Sequence, residues 1–199
     1  MISKKVFIDC GAHKATSLDF FMENFSDSGD YETHSFEINS DFSKYFDKYT
    51  NEKSHFFYNL AVWTNDGEVS FWKMPEESST VSKYHPRDLG DTAAISKCLD
   101  FSTWMRNTFS DNDYIILKMD IEGAEFEVLP KMIKDGTLGM VDELYIEFHY
   151  KKRNNTSLEL SSDILLSMIF DYGLEPRRWD ATGSDMSTDK VGLDWRFCV

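Results

Sequence analysis

Segments of strand length and segments of helix length alternate along almost the whole chain, and this alternation constrains the fold more than any other feature. Short apolar runs such as residues 114–120 are typical of buried strands. Residues 16–25 instead repeat apolar side chains every three to four positions, as one face of a helix does. Alternation of this kind predicts an α/β domain with a mostly parallel sheet and helices on both faces.

The same patterns set the expected bounds of the elements. A seven-stranded sheet is predicted from strands at residues 5–9, 32–37, 55–63, 114–120, 143–149, 175–179 and 193–198. A turn signal at Asn65-Asp66-Gly67 predicts that residues 68–73 form a hairpin with the third strand. Helices are predicted at residues 16–25, 40–49, 99–109, 124–135 and 158–172.

Length and composition limit the class of protein. The chain has 199 residues, which suits a single domain spanning residues 1–199, and 41% of them are hydrophobic, enough for a packed core. The net charge of −14 disfavours nucleic-acid and membrane partners, because an acidic surface repels phosphates and anionic lipids. Three scattered cysteines and the lack of an apolar leader indicate a cytoplasmic protein. The sequence leaves the oligomeric state open.

Polar and acidic residues stand where the predicted strands end. In a doubly wound sheet, ligands bind beyond the carboxyl ends of the strands, where the strand order reverses. The residues found there are Asp9 and Gly11 after the first strand, Glu37 after the second, Asp120 after the fourth, and Glu147 and His149 at the end of the fifth. Acidic side chains are therefore expected along one edge of the sheet. Lys118, within the fourth strand, should pair with an acid, because a buried lysine needs a partner.

The turn after the first strand indicates the kind of cofactor. Gly11 would allow the backbone to pass close to a ligand, and Glu37 could accept hydrogen bonds from both ribose hydroxyls of an adenosine. The alternative is that Gly11 only permits a turn and Glu37 is a solvated strand end. Residues 11–16 contain one glycine, whereas a dinucleotide site needs several and a phosphate-binding loop needs Gly-Lys-Ser/Thr. The missing glycines and the acid at Asp9 favour S-adenosylmethionine over NAD or ATP.

An ordered set of motifs resembles the FkbM family of methyltransferases. The matching segments are residues 6–12 (Val-Phe-Ile-Asp-Cys-Gly-Ala), 35–39 (Ser-Phe-Glu-Ile-Asn), 60–63 (Leu-Ala-Val-Trp), 66–71 (Asp-Gly-Glu-Val-Ser-Phe), 117–125 (Leu-Lys-Met-Asp-Ile-Glu-Gly-Ala-Glu), 127–129 (Glu-Val-Leu) and 143–149 (Glu-Leu-Tyr-Ile-Glu-Phe-His). The resemblance extends over about residues 5–175 and is strongest at 117–125. Two positions depart from it: Ala15 stands where the family often has a second glycine, and Ile38 where a proline is common.

The resemblance implies a Rossmann-like class I methyltransferase fold. It also implies transfer of a methyl group from S-adenosylmethionine to a hydroxyl, usually of a sugar, a glycan or a polyketide-like small molecule. Glu37 would hold the ribose of the cofactor. The other cofactor-binding residues that it implies are Asp9, Gly11, His13, Thr16 and Ser17 at the methionine end, Asn39 at the edge of the adenosine, and Asn59 and Ala61 near the adenine.

Asp120, Glu147 and His149 are the candidate catalytic residues. Methyl transfer is an in-line displacement, and a base assists it by taking the hydroxyl proton. His149 is the first choice, because the unperturbed pKa of histidine lies near neutrality, and Glu147 and Asp120 are the alternatives. The same three side chains could instead bind Mg²⁺ or Mn²⁺. Glu122 is expected to cap backbone amides, and Glu125 to interact with a helix dipole.

Residues 75–98 are expected to form a substrate-lid loop, because the segment is polar and rich in serine. Two other functions remain open. One is a metal-dependent hydrolase or transferase that uses the acidic strand ends without S-adenosylmethionine, and the other is a non-catalytic cofactor-binding module. Metal dependence without affinity for the methyl donor would favour the first, and cofactor binding without turnover would favour the second.

Overall fold

A five-stranded parallel sheet forms the centre of the protein. The computed structural model describes residues 3–50, 52, 54–73, 79–81, 92–149 and 156–179. In that part of the chain the strands are β1 (Lys5–Cys10), β2 (Tyr31–Phe36), β3 (His55–Tyr58), β4 (Ala61–Trp63), β5 (Gly67–Lys73), β6 (Ser79–Val81), β7 (Thr92–Asp100), β8 (Tyr114–Met119) and β9 (Glu143–Ile146). The central sheet has the order β3-β2-β1-β8-β9, and each neighbouring pair is parallel.

Helices connect the strands of this sheet. They are α1 (Thr16–Asn24), a 3₁₀ helix (Ser40–Tyr49), α2 (Phe101–Thr108), α3 (Glu125–Asp135) and α4 (Thr156–Asp171), with shorter 3₁₀ turns at Ser28–Asp30 and Thr137–Met140. Residues 40–49 are predicted as an α-helix, so the 3₁₀ geometry differs, but Phe42, Phe46 and Tyr49 of the predicted apolar face are buried. No helix in the described residues is long and apolar enough to cross a bilayer.

The two faces of the sheet bury different side chains, as the alternation of side chains along a strand requires. Val6 and Ile8 of β1 belong to one apolar cluster, together with Ile169 of α4. Phe7, which lies between them in sequence, belongs to a second cluster and stacks on Phe21 of α1 with ring centroids 4.2 Å apart. Fully burying a side chain of this size contributes roughly 1.5–3 kcal/mol. Helices therefore cover both faces of the sheet, as predicted.

The described part of the central sheet has five strands, whereas seven are predicted. Residues 175–179 form a single parallel bridge, in which Arg177 pairs with Tyr145 of β9. The Ile146 amide donates to the Arg177 carbonyl, and the Arg177 amide donates to the Leu144 carbonyl, both at 2.9 Å. This segment therefore lies at the sixth position of the sheet without forming a full strand. The strand predicted at residues 193–198 lies outside the described residues.

The predicted third strand is two separate strands, and its predicted hairpin is wrong. Residues 55–63 divide into β3 in the central sheet and β4 in a second sheet, which has the order β4-β7-β5-β6. β5 pairs antiparallel with β7 and β6 rather than with β4. Cys98 of β7 lies opposite both Ala61 and Gly67, so β7 separates the two strands that the turn connects. A local turn signal cannot reveal a strand inserted from further along the chain.

The segment before α2 also differs from expectation. A helix is predicted from residue 99, but β7 continues to Asp100, whose side chain accepts a hydrogen bond from the Thr103 amide at 3.0 Å. This cap fixes the start of the helix at Phe101. A substrate-lid loop is predicted at residues 75–98. The parts of this segment that the structure describes, residues 79–81 and 92–98, belong to β6 and β7 of the second sheet. The rest of the segment lies outside the described residues.

Candidate functional site

The strand order reverses between β1 and β8, and the carboxyl end of β1 is hydrogen-bonded to both neighbouring strand ends. The amides of Gly11 and Ala12 donate to the Phe36 carbonyl at 3.0 and 2.9 Å. On the other side, the Asp120 amide donates to the Cys10 carbonyl at 3.0 Å. The ends of β2, β1 and β8 are therefore hydrogen-bonded to one another at the edge where an open α/β sheet binds its ligands.

Gly11 is required by the packing of the chain on itself. Its φ is +83°, and a Cβ at this position would lie 1.8 Å from the Asp120 carbonyl oxygen. The sequence interpretation connects Gly11 with close approach to a ligand, but the close approach found is to the backbone at the end of β8. The next turn is also constrained, since His13 and Ala15 have φ values of +48° and +64°. Ala15 thus occupies a conformation that favours glycine, the residue that the FkbM family often has at this position.

Glu37, directly after β2, is buried and holds two loops. One carboxylate oxygen accepts the His13 amide at 2.8 Å, and the other accepts the Asn39 amide at 2.7 Å. The Asn59 side-chain amide donates to the Glu37 carbonyl at 2.8 Å. Burial raises the pKa of Glu37 to about 7, although the two amide hydrogen bonds oppose the shift. Glu37 is therefore not a solvated strand end.

The raised pKa of Glu37 predicts a pH dependence of stability. The folded state keeps its proton up to about pH 7, whereas the unfolded chain releases it near pH 4.5. Between these values the folded state binds more protons, so the free energy of unfolding falls as the pH rises, by at most about 3 kcal/mol. Urea unfolding at pH 5 and pH 7.5 measures this change. Glu37→Gln has no such proton, and its unfolding free energy should fall less over the same interval; equal slopes would contradict the assignment.

The other predicted cofactor residues divide by exposure. Asp9, Ser17, Asn39 and Ala61 are buried, and Asn39 caps the 3₁₀ helix by accepting the Asp41 amide at 3.1 Å. His13 is half-buried and contacts the Phe42 ring edge-on at 4.4 Å, whereas Thr16 and Asn59 are exposed. Contacts join Glu37 with His13, Asn39 and Asn59; Thr16 and Ser17 begin α1, and Ala61 begins β4 in the second sheet.

Asp9 forms a buried ion pair with Lys118, which confirms that this lysine pairs with an acid. The Lys118 ammonium lies 3.1 Å from an Asp9 carboxylate oxygen and 3.5 Å from Asp120, and it donates to the Gly11 carbonyl at 2.9 Å. Burial opposes the charge, but the attraction of Asp9 and Asp120 outweighs it, so the pKa of Lys118 is raised. The predicted contact of Asp9 with the methionine end of a cofactor stays a prediction, while its structural partner is Lys118.

His149 lies among four carboxylates beyond the ends of β8 and β9. Its Nε2 is 3.5 Å from Asp120, 3.6 Å from Glu122 and 3.7 Å from Glu147, and its Nδ1 is 3.1 Å from Glu125. The predicted trio of Asp120, Glu147 and His149 is thus brought together. Glu122 and Glu125 also belong to this cluster, although the sequence predicts only local roles for them at the start of a helix. The sequence signal for them is the spacing of three acids within six residues of the end of β8.

Glu125 lies in the first turn of α3, as predicted, but it is fully buried and also bonds groups outside the helix. One carboxylate oxygen accepts the Ile121 amide at 2.8 Å and contacts His149 Nδ1 at 3.1 Å. Its second oxygen has no hydrogen-bond partner among the described residues. Glu125 therefore connects the start of α3 to the imidazole and fixes the orientation of the ring.

The carboxylates change the protonation of His149. Burial alone would lower the pKa of this imidazole, but the attraction and hydrogen bond of Glu125, with Glu122 and Asp120, raise it to about 9. The His149 imidazole is therefore protonated at neutral pH. The premise for choosing His149 as the first candidate base, an unperturbed pKa, does not hold in this arrangement. Asp120 and Glu147, with 34% and 41% of their side chains exposed, are the more accessible proton acceptors.

The protein is an α/β protein with a parallel five-stranded central sheet, an architecture compatible with a Rossmann-like fold. Residues 47–164, more than half of the chain, match the model of a family described as a domain of unknown function (DUF7870), and the chain belongs to that family. No curated protein matches the chain, and no solved structure does. The matched segment contains the whole carboxylate and histidine cluster and begins after β2.

Proposed function

We propose that the protein is an S-adenosylmethionine-dependent O-methyltransferase that acts on a hydroxyl of a sugar, a glycan or a related small molecule. The observation that carries the proposal is the position of Glu37. Its carboxylate is buried at the end of β2, the strand beside β1, and it is bonded to the loop after β1 and to the start of the 3₁₀ helix. An acid at the end of the second strand of such a sheet is suited to accept hydrogen bonds from the hydroxyl groups of a ribose.

The chemistry of this edge favours a nucleoside without a pyrophosphate. The loop after β1 has one glycine, and that glycine serves the contact with Asp120 rather than a phosphate cradle. Asp120 and Glu122 add negative charge at the next strand end, which would repel phosphates. A sulfonium cation with a free ammonium group suits the same surroundings. The resemblance of residues 117–125 to the FkbM signature supports the same cofactor.

In the proposed reaction the acceptor hydroxyl attacks the methyl carbon of the sulfonium. The carbon–sulfur bond breaks, S-adenosylhomocysteine leaves, and the hydroxyl proton passes to a carboxylate. Asp120 is the first choice for this proton, because it follows β8 next to the loop after β1 and 34% of its side chain is exposed. Glu147 is the alternative. Alignment of the two reactants contributes most of the rate in a displacement of this kind.

Calorimetric titration with S-adenosylmethionine, S-adenosylhomocysteine and NAD tests the proposal. The first two should bind at one site per chain, and NAD should not bind. At pH 8, above the pKa of Glu37, Glu37→Gln should weaken binding about 10-fold to 100-fold, because hydrogen bonds to a charged group contribute roughly 1.5–3 kcal/mol. Glu32→Gln, at the other end of β2, is the matched control and should bind as the native protein does.

Circular dichroism of both variants checks that they are folded, since Glu37 also holds the loops. Failure of the folded native protein to bind either methionine-derived ligand would refute the proposal. Equal affinity in Glu37→Gln would refute the assigned binding residue. Transfer of a labelled methyl group to a panel of sugars then identifies the acceptor.

A metal-dependent hydrolase or transferase is the second candidate, and the cluster around His149 favours it. Asp120, Glu122 and His149 offer ligand atoms within 4.8 Å of one another. This function needs no methyl donor. Turnover of a phosphate or glycosyl substrate that requires a divalent ion, in a protein that does not bind S-adenosylhomocysteine, would support it over methyl transfer.

A further inference from the structure

We propose that Asp120, Glu122 and His149 bind a divalent transition-metal ion such as Mn²⁺, with Glu125 orienting the imidazole and Glu147 at the accessible side. The site does not depend on the proposed methyl transfer. Its ligand set combines one imidazole nitrogen with carboxylate oxygens, and the three ligand atoms lie within 4.8 Å of one another. Mn²⁺ accepts both ligand types, whereas Mg²⁺ and Ca²⁺ prefer oxygen alone.

The imidazole of His149 is held in a direction that suits a metal ligand. His149 is 4% exposed, and its Nδ1 is held at 3.1 Å by the fully buried Glu125. The opposite ring nitrogen, Nε2, therefore points at the remaining carboxylates. A carboxylate that holds the outer nitrogen of a histidine in this way is the usual support of a metal-bound imidazole.

The spacing of the carboxylate oxygens around Nε2 also suits a shared ion. The nearest oxygens of Asp120, Glu122 and Glu147 lie at 3.5, 3.6 and 3.7 Å, beyond an ordinary N–H···O hydrogen bond. None of these three contacts is therefore a hydrogen bond of ordinary length. Two atoms that each lie about 2.1 Å from a shared ion are separated by about 3.0 Å at a right angle and by about 3.4 Å at a tetrahedral angle. The separations of Nε2 from the oxygens are closer to the tetrahedral value.

Negative charge is concentrated around the His149 imidazole. Four carboxylates surround one imidazole, and the neighbouring Lys118 is already paired with the fully buried Asp9. A divalent ion bound among these carboxylates would offset two of their negative charges. Because Asp120 would then bind the ion, Glu147 would be the proton acceptor of the proposed methyl transfer.

Mn²⁺ binding to the EDTA-treated protein tests the proposal without any methyl donor. We expect one ion per chain with micromolar affinity, measured from the loss of the electron paramagnetic resonance signal of free Mn²⁺. Glu122→Gln, a partly exposed position, should weaken binding at least 10-fold. Glu68→Gln removes one exposed acid from β5 and should leave binding unchanged, which controls for the acidic surface.

Pulsed electron paramagnetic resonance of the Mn²⁺-loaded protein provides a second readout. A nitrogen coupling from a directly bound imidazole is expected in the native protein and should disappear in His149→Gln. Weak binding of several ions, unchanged by Glu122→Gln and without nitrogen coupling, would overturn the proposal. Titration with S-adenosylhomocysteine in the presence of EDTA separates this result from the proposed methyl transfer, because cofactor binding does not use the ion.

Discussion

Replacing Gly11 by alanine is expected to lower the free energy of unfolding by about 3–5 kcal/mol. The φ of +83° is unfavourable for an alanine by about 1–2 kcal/mol. The added Cβ would also lie 1.8 Å from the Asp120 carbonyl oxygen and 2.8 Å from its carbon, so β1 and β8 must separate at their carboxyl ends. Such overpacking typically costs about 1–3 kcal/mol or more.

Gly136→Ala is the matched control for Gly11→Ala. Its φ is +76°, but an added Cβ would meet no atom within 4 Å. Urea unfolding of the two variants therefore separates the cost of the positive φ from the cost of the contact with Asp120. A loss of about 1–2 kcal/mol is expected for Gly136→Ala. Equal losses in the two variants would show that the close approach of β1 to β8 is not tight in solution.

Replacing Lys118 by methionine is expected to lower the free energy of unfolding by about 3–5 kcal/mol. The side chains of Lys118 and Asp9 are 3% and 0% exposed. Methionine fills a similar volume, but it leaves the Asp9 carboxylate buried without its cation, and removal of one partner of a buried pair has a cost of this size. Thermal or urea unfolding at pH 7 measures it.

The double variant Asp9→Asn/Lys118→Met separates the ion pair from general packing. Its loss should be smaller than the sum of the two single losses by about 1–3 kcal/mol, because each single variant leaves a buried charge unpaired. Asp113→Asn with Lys118→Met gives an additive reference, since Asp113 lies at the opposite end of β8 and bonds the Lys4 and Ser110 amides. If the losses of the Asp9 and Lys118 single variants simply add in the double variant, the two charges do not stabilise each other.

The central strands can be predicted from the sequence because their signal is local. β1 and β8 are nearly continuous apolar runs, and five of the six residues in each are buried. The second sheet could not be predicted in this way. The residues of β7 have no clear apolar period, and their partners β4 and β5 lie on either side of β7 in space. Pairing across such a sequence distance is decided by tertiary contacts, not by the turn at Asn65 to Gly67.

The candidate site was partly predictable for a related reason. Asp120 and His149 follow adjacent parallel strands, so their proximity follows from topology. Glu125 has a sufficient local explanation as an acid in the first turn of a helix. Its hydrogen bond with His149 is a tertiary contact, which no local pattern reports. Gly11 was recognised as a special position, but its partner proved to be the backbone of Asp120.

The measurement that tests the proposed function most directly is chemical-shift mapping of the labelled protein with S-adenosylhomocysteine. The account predicts that the shifted amides cluster at the carboxyl edge of the sheet, at residues 11–17 and at Glu37 and Asn39. A shallow concavity at the opposite edge, lined by residues that include Lys4, Lys5 and Glu32, provides the contrasting location. Shifts confined to that opposite edge, or no shifts at a saturating concentration, would contradict the account.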